Sequence, residues 1–488
     1  MPLPGVTQTI INGGLGLVAP GGDKTVIKIG VCSSSTANTL NFYTNPDTMK
    51  AACGVGPLVD SASYHLQNAG GTVGVMRCAA STAGSAGAVS VSRGGAGDST
   101  ATCTVAGAPY DAYQVKIKIT KQGANLAAVT AEFQYSLDNG DNYSDVIAMP
   151  ASGIYAIPNT NLTVTFVDGI GTAFKVDDIH SFTCVAPAFT LSDLSTALDA
   201  LKARTDAAFF CIHIVGHAAS SAGQGAIMAA VQTKLTTEEA GYRYVFAVME
   251  WPDESDATII AAAASITAER IMSVGGFVEL VSDKRQMKRH AAWPMVVRLA
   301  QQKPQRDLGR TRGDSEGGAL PGIVSLYRDE ASTPALDAAR ISTLRTHPGQ
   351  AGFYATHGKM LHSLNSDYTY VQHRRVMDIA CAVNYQALFP FLNSDDFDYE
   401  VKVVNNATIA VVDELSARSM EATINAQLKA RMVLTSPPMC KDAQSVVTRD
   451  NDVVSTMTLR TKVRVQPKPY AKFIETEIGF SKAALVAS

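Results

Sequence analysis

His213 and His217 stand four residues apart, the spacing at which two imidazoles share one face of a zinc-binding helix. Here they flank the end of the apolar run Phe209-Phe210-Cys211-Ile212-His213-Ile214-Val215, which closes at Gly216 and reads as a buried strand. In a strand, residues four apart are separated by about 13 Å. No Glu follows His213, so the zinc-hydrolase pattern is incomplete and no metal ligand set is expected. Gly13-Gly14-Leu15-Gly16 and Gly94-Gly95-Ala96-Gly97 have the composition of phosphate-cradling loops. Neither is followed by Lys-Ser or Lys-Thr, and neither lies between a buried strand and a helix, so both read as hinges or turns. Gly-Xaa-Ser-Xaa-Gly, the nucleophile elbow of hydrolases, does not occur. Arg312-Gly313-Asp314 is too short a match to carry a function. No catalytic residues and no cofactor are expected.

The eight cysteines, Cys32, Cys53, Cys78, Cys103, Cys184, Cys211, Cys381 and Cys440, show no metal-knuckle spacing and no disulfide framework. They read as buried, reduced thiols, which fits a reducing compartment. Lys284, Arg285, Lys288, Arg289, Arg298, Lys303, Arg306, Arg310 and Arg312 form a basic stretch with almost no interleaved aromatics beyond Trp293. A solvated face or a protein–protein contact explains it better than nucleic acid, which favours stacking platforms. The acidic run Asp395-Asp396-Phe397-Asp398-Tyr399-Glu400 reads either as its counterpart on a neighbour or as a solvated loop.

The 488 residues carry 41 Lys plus Arg against 44 Asp plus Glu, a net charge of −3, which argues against a dedicated nucleic-acid binder. Charged residues make up 17%, below the ~25% of an average soluble domain, so the surface suits extensive protein contact. No apolar run reaches the ~20 residues that span a bilayer. The most apolar, Ala257 to Met272, is broken by Ser265, Thr267, Glu269 and Arg270. Met1-Pro2-Leu3-Pro4 lacks the features of a signal peptide, so neither export by a standard leader nor membrane insertion is expected.

The elements that would position these residues follow a clear rhythm. Val6 to Ile11 alternates like a strand but is followed by Gly13, Gly14, Gly16, Gly21 and Gly22, so residues 1–22 read as an arm. Strand Val26 to Val31, helix Val59 to Asn68 and strand Val73 to Arg77 form a βαβ pattern. From about 81 to 189 short alternating runs separated by turns, such as Asp138-Asn139-Gly140-Asp141-Asn142, predict an inserted β-sandwich-like domain.

The α/β rhythm returns over 190–400. Helices are expected at Asp193 to Arg204, Gln224 to Leu235 and Tyr370 to Phe389. Strands are expected at Tyr244 to Met249, Gly276 to Val281, Met295 to Leu299, Ile323 to Tyr327 and Gly352 to Thr356, in a largely parallel sheet. Residues 401–488 read as a helix from Val411 to Arg431 plus strands at Gln444 to Thr448, Val453 to Val465 and Phe473 to Phe480. That is too little sheet to be stable alone. The fold class is α/β: a split core (23–80 and 190–400) with an inserted all-β domain and an α+β C-terminal domain.

Several segments together resemble the contractile tail sheath proteins of myophages and related contractile injection systems. Pro4-Gly5-Val6 is similar to the opening of the sheath N-terminal arm. The strand to Gly30-Val31, Asn45-Pro46-Asp47 to Met49, and Gly54-Val55-Gly56 follow in order. Leu66-Gln67-Asn68-Ala69-Gly70-Gly71-Thr72-Val73-Gly74-Val75-Met76-Arg77 resembles the family's helix, Asn-Gly-Gly turn and Val-rich strand, with Ala69 as a departure. Val371-Gln372-His373-Arg374-Arg375-Val376-Met377-Asp378 is similar to the Arg-Arg helix of the sheath core, and Val446 to Val453, Leu459 to Val465 and Ile474 to Phe480 to the C-terminal strands. The resemblance covers about three-quarters of the chain and leaves out the inserted β domain.

The resemblance implies a sheath-type core and a non-enzymatic virion protein that polymerises as stacked hexameric rings. The rings surround a tail tube and contract to drive it through the host envelope. It implies as partners other copies of the chain, the tail tube protein, and baseplate and tail terminator proteins, with no direct nucleic-acid contact. The location would be the virion tail, after assembly in the host cytoplasm. Val6, Thr7, Thr9 and Ile11, and Phe473, Ile474, Ile478 and Phe480, would then be strands donated to neighbours, which complete the C-terminal sheet by main-chain pairing. The five glycines from Gly13 to Gly22 would be the arm hinge. Arg418, Lys429 and Arg431 on the Val411–Arg431 helix would face the tube. The alternatives are another tail component, tube or baseplate, and a doubly wound enzyme binding a nucleotide at a switch point.

Overall fold

The computed structural model describes residues 22, 24–94, 100–170, 172–282, 285–404, 407–476 and 478–479. Val6, Thr7, Thr9, Ile11, Gly13, Gly14, Gly16, Gly21, Lys284 and Phe480 lie outside the described residues. The chain forms two compact units, Met1–Ala382 and Val383–Ser488.

In the first unit, β-branched runs bounded by glycines build one seven-stranded sheet. Its order is Leu40–Tyr43, Val73–Arg77, Val26–Gly30, Cys211–Ile214, Phe246–Glu250, Ala268–Val274, Met360–Leu361. The five inner strands are parallel, and the two edge strands pair antiparallel. Numbered along the chain, the parallel strands lie in the order 2-1-3-4-5, a doubly wound topology. Both faces are covered, so the strands read as continuous apolar runs rather than half-polar alternations.

Alternate residues feed two cores. Val26, Val73, Val75, Phe246 and Val248 meet helices Pro57–Asn68 and Ala292–Gln301. Ile27, Ile29, Ile212, Ile214 and Met249 meet helices Leu191–Lys202, Ser221–Ala240 and Asp256–Ala264. The helix ends follow local chemistry: Thr190 and Asp193 form a reciprocal capping box, and Ser220 and Ser255 cap the next two helices.

Strands Val26–Gly30 and Cys211–Ile214 are neighbours although a β module intervenes in the chain. That module has a three-stranded sheet, Ile154–Ile157, Leu162–Val167 and Thr102–Ala106. A larger antiparallel sheet is built around Gln114–Lys121 and Ile179–Val185, and the two share a core of Ile117, Phe133, Phe166 and Phe174.

Three expectations for this unit are corrected. Met295 to Leu299 is helical, inside Ala292–Gln301. Every residue from Ala292 to Ala300 is buried, Arg298 included, so the helix has no solvent side, and a short apolar run fits either element. Phe277–Ser282, Ile323–Leu326 and Gln350–Ala355 are strands, but they pair antiparallel in small separate sheets, not in the parallel one. The apolar run from Ala257 divides into a helix ending at Ala264 and the strand Ala268–Val274. Among the described residues no helix is long and apolar enough to cross a membrane.

The second unit contains two two-stranded antiparallel sheets, Tyr399–Val404 with Ala407–Val412 and Asp442–Val447 with Thr461–Gln466. The helix expected from Val411 starts at Glu414, because Val411 and Val412 finish a strand and Asp413 caps the first turn with its carboxylate on Leu415 N and Ser416 N. It runs to Leu428 and continues through a wider turn to Val433. Val453 to Val465 is likewise not one strand. Asp452 accepts from Val454 N and Ser455 N and nucleates the helical turn Val453–Thr456, so pairing begins only at Thr461.

Candidate assembly interface

The strand Asp442–Val447 alternates, with Ala443, Ser445 and Val447 buried and Asp442, Gln444 and Val446 exposed. Its buried face meets Ala417, Met420, Ile424 and Leu428, the helical stripe of Glu414–Leu428. The same helix closes one edge of the sheet. Asn425 Nδ2 donates to Ser445 O at 3.1 Å and its Oδ1 accepts from Ser445 N at 2.6 Å, which imitates a neighbouring strand. Glu421 Oε1 accepts from Val447 N at 2.9 Å and pairs with Arg449.

The opposite edge is different. Thr448 N donates to Arg460 O at 2.8 Å, so by antiparallel alternation Thr461, Val463 and Val465 turn their main-chain groups away from the partner strand. Among the described residues no third strand joins that edge. The other small sheet has the same asymmetry. Asp413 N donates to Asp398 O at 3.0 Å, which sets the parity, and the Ala410 N–H on the outer edge of Ala407–Val412 is taken by Asp452. Along its partner strand, Tyr399, Val401 and Val403 face outward and are 57%, 66% and 73% exposed. Each small sheet thus has one edge held by side chains, at Ser445 and Val447 in one and at Ala410 in the other, and one that pairs with nothing among the described residues. Unpaired edges of this kind are templates for strand addition.

Of the expected donor residues, Phe473, Ile474 and Ile478 are described; they belong to no helix or strand, so the strand expected at Phe473 to Phe480 is not formed over its described residues, and they are 89%, 83% and 93% exposed. Gly22 is a turn residue whose carbonyl accepts from Thr25 N, and a Cβ on it would lie 3.1 Å from Ala208 Cβ. Arg418, Lys429 and Arg431 are all exposed. Arg418 Nε bonds Glu414 at 2.7 Å and Arg431 Nη1 bonds Gln386 at 2.5 Å. Eleven residues apart, Arg418 and Lys429 align to within about 20° around the helix, whereas Arg431 falls on the far side. The structure therefore brings two of the three to one face.

The basic stretch serves mainly inside the first unit. Arg285 and Arg289 both bond Asp60, on helix Pro57–Asn68, and Asp111, in the β module. Arg285 lies over the Tyr113 ring and Arg289 over Trp293. Burial pushes the Asp60 carboxyl up; at Asp111 the two guanidiniums overcome the same burial and hold it low. Lys288 pairs with Asp253, Arg306 with Glu316 and Arg310 with Asp314, which leaves Arg312, 81% exposed at its side chain, as the solvated end. Charge and spacing along one segment could not reveal partners at Asp60 and Asp111, more than a hundred residues away.

His213 and His217 do not converge. His213 is buried; Lys28 Nζ donates to its Nδ1 at 3.1 Å and to Ser61 Oγ at 2.7 Å. With Nδ1 accepting, the ring donates from Nε2 to Glu250 Oε1 at 3.1 Å, and Glu250 also accepts from Gly216 N and Trp293 Nε1. His217 Nδ1 bonds Ala218 O instead. Burial pulls Lys28 down to about 7, against the attraction of Glu250, and pushes Glu250 up to about 7. Sequence patterning missed this chain because its members, Lys28, His213 and Glu250, lie on three strands far apart in the sequence.

The switch point of the doubly wound sheet, where such folds bind ligands, is filled by the chain itself. A Cβ on Gly30 would lie 2.8 Å from Val215 O. Val31 O accepts from Leu58 N at the start of one helix, and Glu254 from Ser221 N at the start of the other. Those are the N–H groups a phosphate would need.

The fold is similar to those of solved sheath tail and baseplate proteins. A chain of the anti-feeding prophage baseplate aligns over 99% of this chain and 99% of that one, with 9% identity and a TM-score of 0.50. The sheath tail protein of Desulfitobacterium hafniense aligns over 95% of this chain and 100% of its own, with 13% identity and a TM-score of 0.45. That of Listeria innocua aligns over 92% and 96%, with 13% identity and a TM-score of 0.43. At such identities the likeness is one of fold. Residues 3–359 match the family DUF2586, N-terminal domain, and the chain belongs to that family. No curated protein matches the sequence.

Proposed function

We propose that the protein is a structural subunit of a contractile tail or related injection particle, and specifically its sheath subunit. The observation that carries this is the second unit, in which side chains cover one edge of each small sheet and the other edge is open. An isolated two-stranded ribbon is marginal in water, and strands from neighbours would complete it. Phe473, Ile474 and Ile478 hold apolar side chains out in solvent on chain that joins no sheet among the described residues, as a donor segment requires. Val6 to Ile11 would be the second donor and Gly13 to Gly22 its hinge. Rings of six stacked around a tail tube, contraction into a more heavily contacted state, and contact with tube, baseplate and terminator proteins belong to this reading. So do a place in the virion tail and a role without catalysis. Arg418 and Lys429 are the residues of the Glu414–Leu428 helix and its continuation that would meet an acidic tube surface, with Arg431 serving its own subunit through Gln386.

A place in the baseplate is the second reading, favoured by the fold shared with the anti-feeding prophage baseplate chain. Negative-stain microscopy of the purified full chain separates the two. Long hollow cylinders are expected for a sheath, lost on deleting residues 1–22 and in Val463→Pro, which removes an outward N–H from the open edge. Discrete rings or wedges that do not stack would move the protein to the baseplate. Monomers from the full chain that stay monomeric on co-expression with a tube protein would overturn the sheath assignment.

A further inference from the structure

The open edge of the Asp442–Val447 and Thr461–Gln466 sheet carries a charge pattern of its own. Along Thr461–Gln466 burial alternates: Lys462, Arg464 and Gln466 are exposed, and Thr461, Val463 and Val465 are half-buried. Arg460 is also exposed, and its carbonyl still accepts from Thr448 N, so it continues the ladder. Residues two apart in a strand point to one face about 6.7 Å from each other, which sets Arg460, Lys462 and Arg464 in a row. Across the ladder Val446 and Gln444 are uncharged, and Asp442 is the one carboxylate on either strand. Among the described residues none of the three cations pairs with a carboxylate; Arg464 Nη1 donates to the Val463 carbonyl at 3.3 Å. On the other face Val463 and Val465 lie opposite Ser445 and Ala443, the side that packs on the helix Glu414–Leu428. A strand added here must bring apolar residues to one face and carboxylates to the other.

The chain contains such a segment. In Phe473-Ile474-Glu475-Thr476-Glu477-Ile478-Gly479-Phe480 the two glutamates hold alternate positions, and Ile474, Thr476, Ile478 and Phe480 hold the others. Residues directly opposite across a ladder share a face. A register that sets Glu475 and Glu477 against the cation row therefore brings Ile474 and Ile478 to the face of Val463 and Val465, and a slip of one residue reverses both faces. The other expected donor, Val6 to Ile11, has no charged residue, and at the other open edge Lys402 is already paired with Glu400 at 2.5 Å. Pro467 to Lys472 link the strand to the segment, yet in the single chain the segment joins no sheet among the described residues. The edge is left for another copy.

We propose that Arg460, Lys462 and Arg464 are specificity-determining residues of subunit joining, selecting the Phe473–Phe480 segment of a second copy through Glu475 and Glu477 and fixing its register. This rests on the strand-donor reading above and adds what decides which segment takes which edge. Main-chain bonds would hold any extended strand, whereas like charges placed directly opposite destabilise a ladder and opposite charges support it.

The test uses full-length chains whose unchanged circular dichroism shows that they fold, with association followed by sedimentation velocity and negative-stain microscopy. Lys462→Glu with Arg464→Glu reverses the edge, and Glu475→Lys with Glu477→Lys reverses the segment. Each double variant alone is expected to associate about tenfold more weakly than wild type. An equimolar mixture of the two is expected to recover wild-type association within about twofold, because each reversed edge then meets a reversed segment on the other chain. Double variants that associate as wild type does would overturn the proposal, and cylinders in those samples would leave the sheath reading standing. Recovery in one chain carrying all four substitutions but not in the mixture would show the segment returning to its own edge, which also overturns it. Wild type that stays monomeric up to its solubility limit would refute the joining itself, with the sheath reading then decided by co-expression with a tube protein.

Discussion

The Lys28–His213–Glu250 chain makes the pH dependence of the α/β core unusual in shape. The perturbation is the pair Lys28→Met with Glu250→Gln, which keeps side-chain volume and removes both ionisations. Each pH unit between a group's folded and unfolded titration corresponds to about 1.4 kcal/mol. Lys28 titrates at about 7 in the fold against 10.5 free. The unfolded chain therefore binds more protons between those values, and stability rises by about 5 kcal/mol from pH 7 to 10.5. Glu250 titrates at about 7 against 4.5. Here the folded chain binds more protons, and stability falls by about 3 kcal/mol from pH 4.5 to 7.

The two contributions meet in a minimum near neutrality. The chain's 2 tryptophans, Trp251 and Trp293, are both buried in this unit, so urea unfolding followed by tryptophan fluorescence reports on it directly. The double variant also loses the hydrogen bonds to Ser61 and His213, but that cost does not depend on Lys28 or Glu250 titrating. The curvature of wild type minus variant is therefore the readout. A difference that stays flat within about 1 kcal/mol between pH 5 and 9.5 would refute the reasoning.

Other outcomes follow from the same geometry. Arg289→Met leaves the buried carboxylates Asp60 and Asp111 with one guanidinium between them and is expected to cost about 3–5 kcal/mol in urea unfolding. Limited proteolysis should then cut first between the β module and the sheet. Asp138→Ala removes the acceptor of Ser136 Oγ, Asn142 N and Asn142 Nδ2, and should destabilise the β module by about 2–3 kcal/mol without moving the tryptophan transition. Asn425→Ala opens the covered edge at Ser445; about 1–2 kcal/mol is lost, and concentration-dependent association in light scattering is the expected sign.

The β module and the alternating helices and strands were legible because each rests on local chemistry: period-two runs, turn residues, capping residues. The βαβ opening and the return of strands at Cys211 and Phe246 were legible for the same reason. What failed were elements whose environment lies elsewhere in the chain. Met295 to Leu299 is buried on every side, Arg298 included, because other elements surround its helix, and so short an apolar run shows no period that separates helix from strand. Val453 to Thr456 is as rich in β-branched residues as a strand, yet Asp452 caps it into a turn. At the candidate interface, the resemblance named Phe473, Ile474 and Ile478 as donor residues, but which sheet edges are open was not legible. That depends on Asn425 and Glu421 reaching round a strand twenty or more residues away.

The sequence by itself determined the class of the fold, a split α/β core with a β insertion, because hydrophobic period and turn residues act over a few neighbours. Only the tertiary structure decided what the charged residues do. Arg285 and Arg289 read as a solvated face or a protein contact and are an internal clamp, and Lys28, unremarked in its strand, is buried against His213. Electrostatics depends on distances through space, and the fold alone sets those.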